Sequence, residues 1–138
     1  MASDYFLGLM SGTSLDGVDS VLASFGTAGF RLHQSHHTPF PPELKEELLA
    51  LQSPSEGELH RAAMAALALS RCYAEAIQAT LAKSQLPLAS IAAIGCHGQT
   101  VRHRPDAAYT LQLNNPALLA ELTGLTVVAD FRSRDIAA

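Results

Sequence analysis

The sequence predicts an α/β domain built on a mixed sheet whose faces are covered by helices. Residues 5–38 hold three strand-like runs separated by tight turns, residues 41–82 hold two helical periodicities, and beyond residue 90 strand-like and helix-like runs alternate. A meander, then helices, then βα alternation is the order of a sheet with antiparallel and parallel members.

Tyr5 to Met10 is a short apolar run closed by the turn-rich stretch Ser11 to Gly17, after which Val18, Val21, Ala23 and Phe25 resume a strand pattern. Gly26 to Gly29 turns the chain into Phe30, Leu32, Gln34 and His36, which Pro39, Pro41 and Pro42 end. Runs joined by polar turns read as an antiparallel meander. Pro41 and Pro42 suit a helix entry, where a missing N–H costs nothing, and Leu44, Leu48 and Leu51 recur at helical spacing up to Ser53 and Pro54. Ser55 with Glu58 forms a capping-box pattern ahead of a longer helix. Its predicted buried stripe is Leu59, Ala62, Ala66, Leu69, Tyr73, Ile77 and Leu81. Nine alanines between Ala62 and Ala82 favour the helix and keep it thin for close packing on a sheet. Ile91 to Cys96 is a buried-strand run, Tyr109 to Leu113 alternates, Pro116 to Leu122 is helical with Gly124 as its stop, and Thr126 to Ala129 is a last apolar strand.

With 48% hydrophobic and 16% charged residues the composition is that of a compact domain, and 138 residues suit one core. Nine Lys and Arg against thirteen Asp and Glu leave a net charge of −4, which disfavours nucleic acid and anionic membrane as partners. Cys72 and Cys96 lie outside any CxxC pair, as two buried thiols or a single disulfide. Asp4 stands where a secretory signal would want a basic residue, and the apolar segment Ala62 to Leu69 is far short of the roughly 20 residues that span a bilayer. These features predict a cytosolic protein.

Polar clusters follow the predicted strands at Ser11 to Asp19, His97 to Thr100, Asn114-Asn115 and Asp130 to Arg134. Strand ends are where α/β folds bind ligands. In the first cluster Gly12 and Gly17 let backbone approach an anion, while Ser11, Thr13 and Ser14 supply hydroxyls, the composition of a phosphate-cradling hairpin. It lacks the Lys of a P-loop and the Gly-x-Ser-x-Gly spacing of a nucleophile elbow. The same residues also make ordinary turns for conformational reasons alone. Asp16 and Asp19 add carboxylates that an ordinary hairpin does not need and a Mg²⁺-bound phosphate does. In the second cluster, His97 and Gln99 flank a glycine and are expected to project together toward a polyhydroxylated ligand. Gln112 with Asn115, and Asp130 with Arg132, Arg134 and Asp135, are weaker signals, since charge pairs at an edge are often solvated. His33, His36 and His37 read as a partly exposed strand end and not as a metal site.

Three runs together resemble one family: GLMSGTSLDGVDSVLASF at Gly8 to Phe25, IGCHGQTVRHRP at Ile94 to Pro105, and NPALLAELTGLTVVADFRSRDIAA at Asn115 to Ala138. They resemble, in order and at compatible spacing, the anhydro-N-acetylmuramic acid kinases of bacterial peptidoglycan recycling. The resemblance implies a ribonuclease-H-like lobe of the actin, Hsp70 and hexokinase (sugar kinase) superfamily, here the N-terminal lobe (residues 1–138) of a two-lobed enzyme. It implies ATP and Mg²⁺ as cofactors and a small anhydro amino sugar as substrate, and it allows a homodimer of the full-length protein. The family reaction phosphorylates the sugar 6-oxygen and opens the 1,6-anhydro ring hydrolytically, giving N-acetylmuramic acid 6-phosphate.

Carried onto this sequence, the resemblance makes Gly12, Thr13, Ser14, Leu15, Asp16, Gly17, Val18 and Asp19 the ATP phosphate loop. It turns His97, Gln99, Asn115, Asp130 and Arg132 toward the sugar. No position matches the family's catalytic Asp, which belongs to a later segment, and none is assigned to metal. Asn114 stands where relatives often carry Gly, and Cys96 where Ser is common. Two rival readings remain: an ATP-driven chaperone- or actin-like switch, which has no reason to place His97-Gly98-Gln99 and Asp130-Phe131-Arg132 beside the phosphate hairpin, and a non-catalytic sugar-binding module, whose sugar affinity would not depend on Gly12 to Asp19.

Overall fold

The structure, a computed structural model, describes residues 5–138, so Asp4 lies outside the described residues. Strands β1 (Tyr5–Met10), β2 (Gly17–Gly26) and β3 (Gly29–Pro39) form the expected meander, followed by helices α1 (Pro42–Ala50) and α2 (Glu58–Ser84). Then come β4 (Ile91–Cys96), β5 (Gln99–Arg104), β6 (Tyr109–Leu113), α3 (Pro116–Thr123), β7 (Val127–Ala129) and α4 (Phe131–Ala137). One sheet has the order β3-β2-β1-β4-β7, with β1, β4 and β7 parallel, and β5 pairs with β6 in a separate hairpin. Strand β5 and helix α4 are the elements that sequence patterning missed; in β5, Gln99 and Val101 are buried, but Arg102 and His103 break the apolar signature.

The core lies between the sheet and α2. Leu69, Tyr73 and Ile77 of α2 meet Leu7, Leu9, Leu22 and Ile94 of the strands, all nearly or wholly buried. The small residues Ala65, Ala66, Ala74 and Ala76 are buried beside them, so the helix axis can approach the sheet closely. Thr80 Oγ1 lies 2.9 Å from Ser20 Oγ and 2.8 Å from the Ala76 carbonyl, pairing the hydroxyls that this interface buries.

Two local expectations are corrected. Leu59, placed in the buried stripe, is 87% exposed because the first turn of α2 overhangs the sheet and borders a shallow groove with Val101 and Leu111 of the hairpin. Ser55 does not cap α2. Gly57 occupies the cap position at φ 65° with no side-chain cap, while the Ser55 hydroxyl accepts from Arg61 Nη1 at 2.9 Å. Arg61 also grips both oxygens of Glu47, at 2.7 and 2.8 Å, and a guanidinium binds an oxygen more strongly than a helix-terminal N–H does.

Helices α2 and α3 lie on one face of the sheet, and on the other, among the described residues, only Phe131 at the start of α4 reaches over it, against Gly95. The crossovers β1 to β4 and β4 to β7 step the same way across the sheet, so right-handed connections bring α2 and α3 to the same side, where they touch. The opposite face presents Phe6, Val21, Phe25, Phe30, Val128 and Phe131 around an apolar groove of about 360 Å³. No helix among the described residues is long and apolar enough to cross a membrane.

Leu69→Ala removes a side chain with no exposure and is expected to cost about 2–5 kcal/mol, whereas Leu59→Ala should stay within about 0.5 kcal/mol of the parent. Urea denaturation of both variants checks the burial pattern. Replacing Phe25 and Phe30 by serine should lower the fluorescence of an apolar dye bound to the open face without lowering the melting temperature.

Candidate functional site

Strands β1, β4 and β7 run parallel, so Met10, Cys96 and Ala129 end on one edge of the sheet, and the His97 N–H donates to the Leu9 carbonyl at 3.2 Å to bind two of those ends together. Onto this edge the fold brings the four polar clusters.

Loop 11–16 is shaped from beneath. Leu15 takes a positive φ of 55°, unfavourable for a residue with a Cβ, and is held there because its side chain is buried in the core. Its N–H closes a turn onto the Gly12 carbonyl at 3.2 Å, which lifts Thr13 and Ser14 into solvent. Ser11 is buried, its hydroxyl 3.0 Å from that of Tyr73 on α2. Burial pushes the Tyr73 phenol well above its ordinary range, so it remains a neutral anchor. Ser14 Oγ donates to Asp16 at 2.9 Å, and this bond is the main reason the Asp16 carboxyl sits below its usual range, with the charges of His37 and Lys45 assisting. Asp19 faces His37 across β2 and β3, Oδ1 to Nδ1 at 2.9 Å. The three strand histidines thus diverge, His33 to Ser24, His36 to Lys83 and His37 to Asp19. Gly17 is required by close approach, since a Cβ there would lie 2.2 Å from the Thr38 carbonyl.

Beside the loop is a polar pocket of about 180 Å³ lined by His97, Gln112, Asn114, Pro116, Ala129 and Asp130. His97 Nδ1 lies 2.9 Å from the Gly98 carbonyl. In a neutral ring that bond makes Nδ1 the donor and leaves the lone pair on Nε2. Asn114, which the sequence marks only as part of a polar turn, lines this pocket: its Oδ1 is buried without a hydrogen bond, and its Nδ2 has only the sulfur of Cys96, a weak acceptor, beside it. A buried unpaired amide costs about 1–3 kcal/mol, and a ligand's polar groups could offset it. Gly98, at φ 79°, fits because a Cβ would lie 2.7 Å from the Leu113 carbonyl.

The remaining predicted residues sit differently. His97 and Gln99 do not project together: Gln99 is fully buried, its Nε2 donating to the Gly12 carbonyl at 3.1 Å, because β5 begins there and alternation turns the side chain inward. Asn115 spends its Oδ1 capping α3 through the Leu118 N–H at 2.9 Å. Its backbone N and O each lie 3.1 Å from the Ser70 hydroxyl of α2. Asp130 borders the pocket, begins α4 at φ 61° and accepts from Ser133. Arg132 lies along α4 in an ion pair with Asp135 at 3.3 Å, outside the pocket lining. Cys72 and Cys96 are free and buried, and burial pushes the Cys96 thiol up to about 11.

A hydroxyl- and glycine-rich loop and a small polar pocket thus both lie at the carboxyl ends of the parallel strands, the edge at which α/β folds bind ligands. Comparison with known proteins is more specific. The sequence profile of the family described as anhydro-N-acetylmuramic acid kinase matches residues 4–138. Proteins of that name are 56% identical in Variovorax paradoxus, over 100% of this chain and 38% of the relative, and 57% identical in Albidiferax ferrireducens, over 99% and 36%. A third, from Bordetella petrii, is 58% identical over 96% of this chain and 35% of its own length. The chain belongs to the anhydro-N-acetylmuramic acid kinase family, and it spans little more than a third of the length of these curated relatives.

Gly17→Ala and Gly98→Ala are each expected to lower stability by about 1–3 kcal/mol through backbone displacement, read as a fall in melting temperature. Since burial disfavours both thiolates, native protein at neutral pH should resist iodoacetamide at Cys72 and Cys96 and react at both once denatured.

Proposed function

We propose that residues 1–138 form the N-terminal lobe of a two-lobed sugar kinase of the actin and hexokinase type, which uses ATP with Mg²⁺ to convert 1,6-anhydro-N-acetylmuramic acid to N-acetylmuramic acid 6-phosphate. The reading is supported by one juxtaposition above all: the phosphate-type loop and the polar pocket stand side by side on one sheet edge, as transfer from a nucleotide to a sugar requires. The length of the relatives supports a second lobe encoded beyond this chain.

The loop suits a polyphosphate. Thr13 and Ser14 are exposed, Gly12 adds no bulk, and Asp16 and Asp19 present carboxylates from which a cation accompanying the phosphates could be held. ATP supplies the transferable phosphoryl group, and phosphoryl transfer asks the protein chiefly for positioning and charge stabilisation. His97 and Asp130 border the space a sugar would take, while Asn115 and Arg132 act from behind, one by holding the turn and the other by pairing within α4. In the overall reaction a water oxygen bonds to the anomeric carbon as the bond from that carbon to the 6-oxygen breaks. The freed 6-oxygen takes the γ-phosphoryl group, ADP leaves, and a base receives the water proton. That base is expected from the second lobe, and Asp16, Asp19 and Asp130 are not assigned to it. A switch protein of the same superfamily would need the loop and not the pocket.

In the full-length enzyme, Asp16→Ala or Asp19→Ala should lower kcat/KM for ATP by about 10- to 100-fold, the scale of one lost charged contact. Phosphorylation of other sugars with none of the anhydro sugar would refute the assignment. Ser14 keeps Asp16 ionised down through the ordinary carboxylate range, so its contribution is present throughout neutral pH and is lost only as pH falls below that range. ATP affinity should therefore show no Asp16-dependent loss between about pH 8 and about pH 5. Residues 1–138 alone should show no turnover, because half a cleft cannot exclude water.

A further inference from the structure

We propose that Gln99 is a positioning residue of the phosphate loop: its side-chain amide holds the Gly12 carbonyl inward and so aims the Thr13 N–H outward at an incoming phosphate. The inference rests on the phosphate-loop reading above, and it gives Gln99 a role other than contact with the sugar.

Gln99 has no solvent exposure. Its Nε2 lies 3.1 Å from the Gly12 carbonyl oxygen and 3.4 Å from that of Thr100. Two carbonyl acceptors demand the NH₂ end of the amide on that side, so the side chain has one permitted orientation. Its Oε1 is consequently buried without a partner, a cost the fold accepts to keep the donor in place. The Gly12 carbonyl also accepts the Leu15 N–H, so two donors fix it from beneath the loop.

The peptide between Gly12 and Thr13 is planar and trans, which makes its C=O and N–H point in opposite directions. A carbonyl pinned toward the interior therefore turns the Thr13 N–H toward the exposed side of the loop, where a phosphate oxygen would accept it. Gln99 is itself held rigidly. It opens β5, whose hairpin partner β6 packs so closely on Gly98 that no Cβ fits there. The contact joins residues 87 apart in sequence, linking the loop after β4 to the loop after β1.

The test is Gln99→Met, which keeps side-chain length and removes the donor, in the full-length enzyme, with Gln99→Glu as a second variant that sets a carboxylate against two carbonyl oxygens. Melting temperature and circular dichroism select variants that remain folded. KM for ATP is expected to rise about tenfold for Gln99→Met, the value of one hydrogen bond to a charged group, with KM for the anhydro sugar constant within about twofold. In the parent, titration with a non-hydrolysable ATP analogue should shift the Thr13 amide resonance, and in Gln99→Met that shift should shrink. A folded variant with raised KM for the sugar and unchanged KM for ATP would overturn the inference, as would unchanged values for both. Should the parent fail to bind ATP, the phosphate reading falls. Gln99 is then judged by amide relaxation at Gly12 and Thr13: greater motion in Gln99→Met supports loop positioning, and unchanged motion overturns it.

Discussion

Both halves of the site hang from one helix. On α2, Ser70 and Tyr73 stand three residues apart and share a face; Tyr73 reaches the Ser11 hydroxyl under the phosphate-type loop, and Ser70 reaches the backbone of Asn115 at the rim of the pocket. That double attachment depends on how closely α2 approaches the sheet, which its buried alanines permit. A bulkier face would lift the helix and lengthen the hydrogen bonds of both attachments.

Three buried polar groups meet near this edge. Ser11 is paired, Gln99 has its donor engaged and its acceptor vacant, and Asn114 has its oxygen vacant and only the Cys96 sulfur beside its nitrogen. Interiors tolerate such groups only with partners or with a functional return. The carboxylates behave differently: Asp16 and Asp19 are exposed, each steadied by one neighbour, so their charge remains available on the outer side of the loop. The edge thus combines a polar, hydrogen-bonded underside with a charged, solvated rim.

The open face of the sheet has an equally simple cause. Two crossovers stepping in one direction place their helices on one side, and Phe6, Phe25 and Phe30 remain uncovered on the other. The nearly continuous apolar run of β1 suggests a strand buried on both faces, and composition cannot reveal that, among the described residues, α2 and α3 share one face while only Phe131 of α4 reaches the other.

Local pattern was enough for most elements. Alternation and turn residues marked the meander, proline and leucine spacing marked α1, the alanine-rich stripe marked α2, and Asn115-Pro116 with Gly124 bracketed α3, because these signals act within a few residues of themselves. The polar clusters were legible for the same reason, and so was the family. What sequence did not show is where side chains of the clusters would point. Gln99 turned inward because pairing with β6 made its segment a strand, Ser55 lost its capping role to the distant Glu47–Arg61 pair, Leu59 was left outside by the overhang of α2, and Asn114 became the unpaired lining of a pocket. Each outcome depends on a partner dozens of residues away or on the ends of a packed element, and only the assembled sheet and helix bring those together. The sequence by itself determined the periodicities, the chemistry available at each strand end and the family; tertiary structure decided which of those groups line the pocket and the exposed loop and which are buried behind them, because that depends on strand pairing and helix packing between distant segments.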